Sequence, residues 1–142
     1  MKKVNEKIGT NYGLFNYYGA EDAEHVIVAM GSVCETIEET VDYLNGRGGK
    51  YGVVKVRLYR PFSAEHLIQC IPDTVKQISV LDKTKEPGSL GEPLYLDVVA
   101  ALRGSKFHNT PVFSGRYGLS SKDTNSAHII AVFKNTEKEK KN

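Results

Sequence analysis

Short apolar runs rich in β-branched residues recur along the chain, and each is followed by a stretch with apolar residues at helical spacing. No other feature constrains the fold as much. "HVIVAM" leads into "GSVCETIEETVDYL", where Val33, Ile37, Val41 and Leu44 return every three or four residues. "YGVVKVRLYRP" is followed by "SAEHLIQCIP", and "KQISVLD" by a helical pattern through Leu94, Val98, Ala101 and Leu102. "TPVFSG" precedes a last helix from about Asn125, with Ile129, Ile130 and Phe133 on one face. Strands that alternate with helices of about ten residues pair in parallel, because a right-handed crossover returns each strand to the same edge-to-edge direction. The pattern predicts a three-layer α/β/α domain with a mostly parallel sheet of about five strands. The aromatic stretch "YGLFNYYG" ahead of the first of these strands is expected as an antiparallel edge strand.

Local signals place the ends. Ser32 followed by Glu35 fits a capping box, with the Ser32 hydroxyl accepting from the Glu35 amide. The glycines of "NGRGGK" close that helix. The next strand reads as Val54, Val56 and Leu58 alternating against Lys55, Arg57 and Tyr59, and it stops before Pro61. Pro93 suits the first turn of a helix after the polar loop "KTKEPGSLGEP". The expected organisation is a lead over residues 1–11, one domain over 12–135, and a disordered tail over 136–142, where "TEKEKKN" has no apolar residue.

Composition removes several function classes. In 142 residues, 40% are hydrophobic and 25% charged, as one globular domain requires. The 19 basic and 17 acidic residues give a net charge of +2 and are scattered, without a basic run flanked by aromatics, so nucleic acid is not an expected partner. The N-terminus lacks the apolar stretch of a signal peptide, and no apolar run is longer than the five residues of Val26 to Met30, too short to cross a bilayer. Neither a membrane nor export is expected, and the reading is a cytoplasmic protein. Cys34 and Cys70 form no CxxC pair and sit in apolar patterns, where a free buried thiol is the simplest reading. His25, His66, His108 and His128 have no metal-ligand spacing, so no metal site is expected.

In a sheet of this kind the loops leaving the carboxyl ends of the parallel strands share one rim, where ligands and partners meet the domain. That rim gathers Gly31 and Ser32, Arg60 to Ser63, Asp82 to Glu92, and Gly115 to Asp123. Its basic and acidic residues alternate and read as a solvated, ion-paired surface. The sequence "GSVCET" lacks the glycine spacing of a phosphate loop, so simple capping by Ser32 is the reading there. "GRYGLSSKD" is the densest part of the rim, with Arg116, Tyr117, Lys122 and Asp123 within nine residues.

The segments "GSVCETIEETVDYLNGRGGKYGVVKVRLYRPFS", "VLDKTKEPGSLGEPLYLDV" and "GRYGLSSKD", in this order and spacing, closely resemble the second domain of pyruvate:ferredoxin (flavodoxin) oxidoreductase, a transketolase C-terminal-like domain. The match covers roughly residues 12 to 135. The resemblance implies a parent enzyme, many times longer, that converts pyruvate and CoA to acetyl-CoA and CO2. Such an enzyme works with thiamine diphosphate, Mg2+ and [4Fe-4S] clusters, passes electrons to ferredoxin or flavodoxin, and is a homodimer. This chain has no GDG with a distant Asn for the diphosphate and too few cysteines for one cluster, so it is expected to hold no cofactor, to supply no catalytic residue, and to be inactive alone. The expected role is docking on other domains of the parent, with Arg60 and Arg116 as forks for carboxylates and Tyr117, Lys122 and Asp123 beside them. Two other readings of the loop stay open: pairing of Arg116, Lys122 and Asp123 among themselves or at the last helix, and contact with coenzyme A or substrate. The alternative function is an autonomous flavodoxin-like module for a flavin or nucleotide.

Overall fold

A computed structural model of the chain describes residues 1–138. The elements in chain order are α1 (Lys2–Ile8), β1 (Phe15–Gly19), β2 (His25–Met30), α2 (Val33–Asn45), β3 (Tyr51–Val56) and α3 (Ala64–Cys70). Then come β4 (Gln77–Asp82), α4 (Pro93–Leu102), β5 (Val112–Arg116), a single 3-10 turn over Leu119–Ser121, and α5 (Ser126–Glu137). The five strands lie in the order β1-β3-β2-β4-β5, with β1 antiparallel to β3 and the other pairings parallel. The expected edge strand and four βα units are therefore present. The short helix α1, in the stretch expected as a lead, buries none of its residues.

Parallel strands covered on both faces read as continuous apolar runs. In β2 the residues from Val26 to Ala29 are all buried, with Val26 and Val28 facing one layer and Ile27 and Ala29 the other. The first layer is α3 and α4, contributing Leu67, Leu94, Val98 and Leu102. The second is α2 and α5, contributing Val33, Ile37, Val41, Ile129 and Phe133. The same two-sided burial corrects the expectation for β3. Val53 and Val54 are both fully buried, and Leu58 lies beyond the strand and is exposed, because β3 runs between β1 and β2 under helices on each side. At Gly52 the β1 side chains approach so closely that a Cβ would lie 2.6 Å from Tyr17 Cε2. A larger residue there would have to displace the Tyr17 ring.

Two local expectations fail. Ser32 has helical dihedrals, φ −63° and ψ −24°, and its side chain caps nothing. The turn into α2 is made one residue earlier by Gly31 at φ 83°, and backbone carbonyls of Gly31 and Ser32 take the Cys34 and Glu35 amides. The Glu35 carboxylate therefore closes no capping box. The last helix does carry one: Asn125 Oδ1 accepts from the His128 amide at 3.2 Å, and the His128 ring accepts from the Asn125 amide at 3.3 Å.

The second correction is at the C-terminus. Thr136 and Glu137, assigned to a disordered tail on composition, are the last residues of α5. Thr136 is 2% exposed and lies 3.1 Å from His25 Nδ1, while the Tyr51 hydroxyl donates to Glu137. Lys138 follows as the C-cap residue, and residues 139–142 lie outside the described residues.

Candidate functional site

Strand β2 ends at Met30, β3 at Val56, β4 at Asp82 and β5 at Arg116, so the segments that follow them converge at one end of the sheet. Between the β2 and β4 ends, where the strand order reverses direction, lies a cleft of about 410 Å³ walled by Gly31, Ser32, Tyr59, Asp82, Lys83 and Tyr117. A second groove, about 470 Å³, runs between β5 and α5 beside Arg116, Lys122, Asp123 and His128. Tyr117 lines both. Its amide donates to Asp82 O at 3.1 Å and its hydroxyl to Met30 O at 3.4 Å, and burial pushes the phenol above its ordinary pKa.

The rim carboxylates read from sequence as solvated are not all so. Asp82 is 4% exposed, and its two oxygens accept the Leu94 amide at 3.0 Å and the Tyr95 amide at 3.2 Å. It thus caps α4 from the end of β4. Glu92 occupies the cap position itself and makes no cap bond. Burial raises the Asp82 pKa, opposed by the two amide bonds and reinforced by the charges of Glu92 and Asp97. Glu92, whose side chain is 8% exposed, accepts the Glu86 amide at 2.7 Å and faces Arg116 Nη1 at 3.5 Å.

Both arginines expected as docking forks also hold carboxylates within the domain. Arg60 lies over the Tyr59 ring at 3.9 Å and pairs with Asp97 at 2.8 Å. Asp97 also accepts the Tyr59 hydroxyl at 2.7 Å, and burial, then this bond, pushes that phenol up to about 12. Arg116 pairs with Glu92 and not with Asp123, and the last helix is capped by Asn125. Lys122 and Asp123 are exposed on the loop, where Ser120 and Ser121 adopt left-handed φ of 55° and 60°. Sequence reasoning missed Asp97 and the cap by Asp82. A signal for the latter was present: Glu is a poor N-cap, so a helix opening "EPLY" needs an acceptor from elsewhere.

The two arginines should therefore behave differently in the isolated chain. Arg60→Ala removes an exposed pair and should change stability by less than about 0.5 kcal/mol. Arg116→Ala leaves the enclosed Glu92 carboxylate without its counter-charge and should cost about 1–2 kcal/mol. Urea unfolding at constant slope measures both. Equal losses would mean that Glu92 is not enclosed as described.

The two thiols do not fit an iron-sulfur cluster. Cys34 lies in the α2/α5 layer and Cys70 packs against the α3/α4 layer, so the sheet stands between the two thiols. Burial raises both thiol pKa values, against the thiolate form that a cluster requires. Both Asp82 oxygens already accept helix amides. Among the described residues, no group of three or more His, Cys, Asp or Glu is placed to hold a metal, and no helix is long and apolar enough to cross a membrane.

The model of the family described as pyruvate:ferredoxin oxidoreductase core domain II matches residues 23–129. The chain is 56% identical over 140 residues to the pyruvate-flavodoxin oxidoreductase of Enterobacter agglomerans, covering 99% of this chain and 12% of that protein. It is 57% identical over 135 residues to the pyruvate:ferredoxin oxidoreductase of Moorella thermoacetica, covering 95% and 11%. Among solved structures, the 2-oxoglutarate:ferredoxin oxidoreductase of Magnetococcus marinus, with 2-oxoglutarate, coenzyme A and succinyl-CoA bound, superposes with a TM-score of 0.61. At 16% identity over 93% of this chain and 21% of that one, this likeness shows the fold. None of these supports the autonomous flavin or nucleotide module. The three registered motifs, the five-stranded sheet and the matched residues agree: the chain belongs to the pyruvate:ferredoxin oxidoreductase core domain II family, and it spans about an eighth of the length of these two relatives.

Proposed function

We propose that this domain packs between other domains of a pyruvate:ferredoxin (flavodoxin) oxidoreductase and contributes no catalytic group to it. The carrying observation is one of proportion: the match takes in 99% of this chain and only 12% of the relative. The rim supports the same reading, since its enclosed carboxylates are committed to holding α4 and the 83–92 loop. In the parent, pyruvate and CoA become acetyl-CoA and CO2, and electrons leave to ferredoxin or flavodoxin. Thiamine diphosphate, Mg2+ and [4Fe-4S] clusters are held by other domains of a cytoplasmic homodimer. Arg60, Arg116, Tyr117, Lys122 and Asp123 face the neighbouring domains. For the arginines this uses what their internal pairs leave over, because a guanidinium carries five donors and both side chains are about half exposed.

The test uses the isolated chain. With pyruvate, CoA and thiamine diphosphate it should reduce methyl viologen no faster than buffer. Millimolar thiamine diphosphate should move its unfolding midpoint by less than about 1 °C, because a ligand stabilises only a fold that binds it. Pyruvate-dependent dye reduction, or a saturable rise in the midpoint, would overturn the reading.

A further inference from the structure

Strand β4 and helix α4 are joined by residues 83–92, where two to six residues suffice for such a connection. From Lys83 to Leu90 every residue is exposed, and Leu90 is 100% exposed. Single surface leucines are commonplace, but they ordinarily lay part of the side chain against the protein. Leu96 and Leu119, for comparison, are 38% and 36% exposed. The segment is nevertheless held at its base. Asp82 binds the first turn of α4, Glu92 binds back to the Glu86 amide, the Ser89 amide donates to Glu86 O at 3.2 Å, and the Gly91 amide to Ser89 Oγ at 3.5 Å. Two enclosed carboxylates, one of them partnered by Arg116, fix the stems of a loop that leaves Leu90 wholly exposed. Burying such groups is unfavourable, and whereas Asp82 serves the α4 cap, Glu92 makes no cap bond and holds the loop.

Resting on the interdomain reading above, we propose that residues 83–92 form a preorganised docking arm and that Leu90 is its anchor. Its partner is an apolar socket with an acidic rim on the remaining polypeptide of the parent oxidoreductase. An apolar side chain offered on a rigid loop loses little freedom on insertion, and a ring of polar contacts then keeps water from the socket. The acidic rim follows from Lys83 and Lys85, which pair with no carboxylate among the described residues and outnumber the segment's one exposed carboxylate, Glu86. Arg116 is then a positioning residue, which secures Glu92 and through it the arm.

Hydrogen exchange of the isolated chain and the full-length parent, read segment by segment, tests this. The arm's amides, over 84–91, should exchange at least about tenfold more slowly in the parent than in the isolated chain. Leu90→Asp should restore fast exchange there in the parent and leave the unfolding midpoint of the isolated chain unchanged. If 84–91 exchanges equally in both settings while 116–123 slows in the parent, the arm proposal is wrong and the interdomain reading stands. If no segment slows, both fail. If 84–91 slows and Leu90→Asp has no effect, Leu90 is not the anchor.

Discussion

Replacing Phe133 with Ala is expected to destabilise the isolated chain by about 3–5 kcal/mol, the cost of emptying an enclosed aromatic site. Phe133 is 1% exposed, lies 4.6 Å from the Tyr51 ring centre, and packs with Ile27, Ile37 and Val53 against the sheet. The loss reaches the rim, because α5 is also the outer wall of the groove beside Arg116 and Lys122. Domains of this size are stable by only about 5–15 kcal/mol, so the variant should be partly unfolded at moderate urea. The midpoint should fall with the slope retained. A loss under about 1.5 kcal/mol would mean that α5 rests loosely on the sheet and that the groove has no fixed wall.

Asp82→Ala comes next, at about 2–3 kcal/mol. It strips two amides of the first α4 turn of their acceptor, and hydrogen bonds to a charged group contribute about 1.5–3 kcal/mol each before the burial of the carboxylate is set against them. The pH dependence separates those opposed effects. Because burial raises the folded-state pKa, the folded chain binds more protons than the unfolded chain between the two values. The stability that Asp82 contributes is therefore fully present below the unfolded pKa of about 3.9 and is lost as pH rises through the folded value. Measured against Asp82→Asn, which does not titrate, the wild-type advantage should shrink across that window. An advantage that grows with pH would show that the helix amides outweigh burial. The variant also loosens one stem of the arm that carries Leu90, so exchange over 84–91 in the isolated chain should quicken.

Much of this was legible before any coordinates. The alternation of β-branched runs with helical spacing is a property of neighbouring residues, so β2 to β5, the edge strand β1 and the helices between them follow from local order. The start of α5 at Asn125 was legible for the same reason, since a cap is a contact over three residues. Family membership was carried by three long segments in register, information that lies wholly in residue order.

What only the tertiary structure decided is which polar groups are enclosed and what meets them. Asp82 and Glu92 look like rim charges in the sequence, yet one accepts amides 12 and 13 residues away and the other faces Arg116 across the sheet end. Thr136 and Glu137 belong to a tail by composition and to the core's edge by packing, because His25 and Tyr51 come to them through the fold. Leu58 continues an alternating pattern on paper and falls outside the strand, and Cys34 and Cys70 are separated by a sheet no spacing rule describes. The physical reason is common to all four. Periodicity and capping act over a few residues of chain, whereas desolvation and pairing depend on which distant segments the crossovers bring within a few ångströms, so the rim's charges acquire their roles only once β4, α4 and β5 stand side by side.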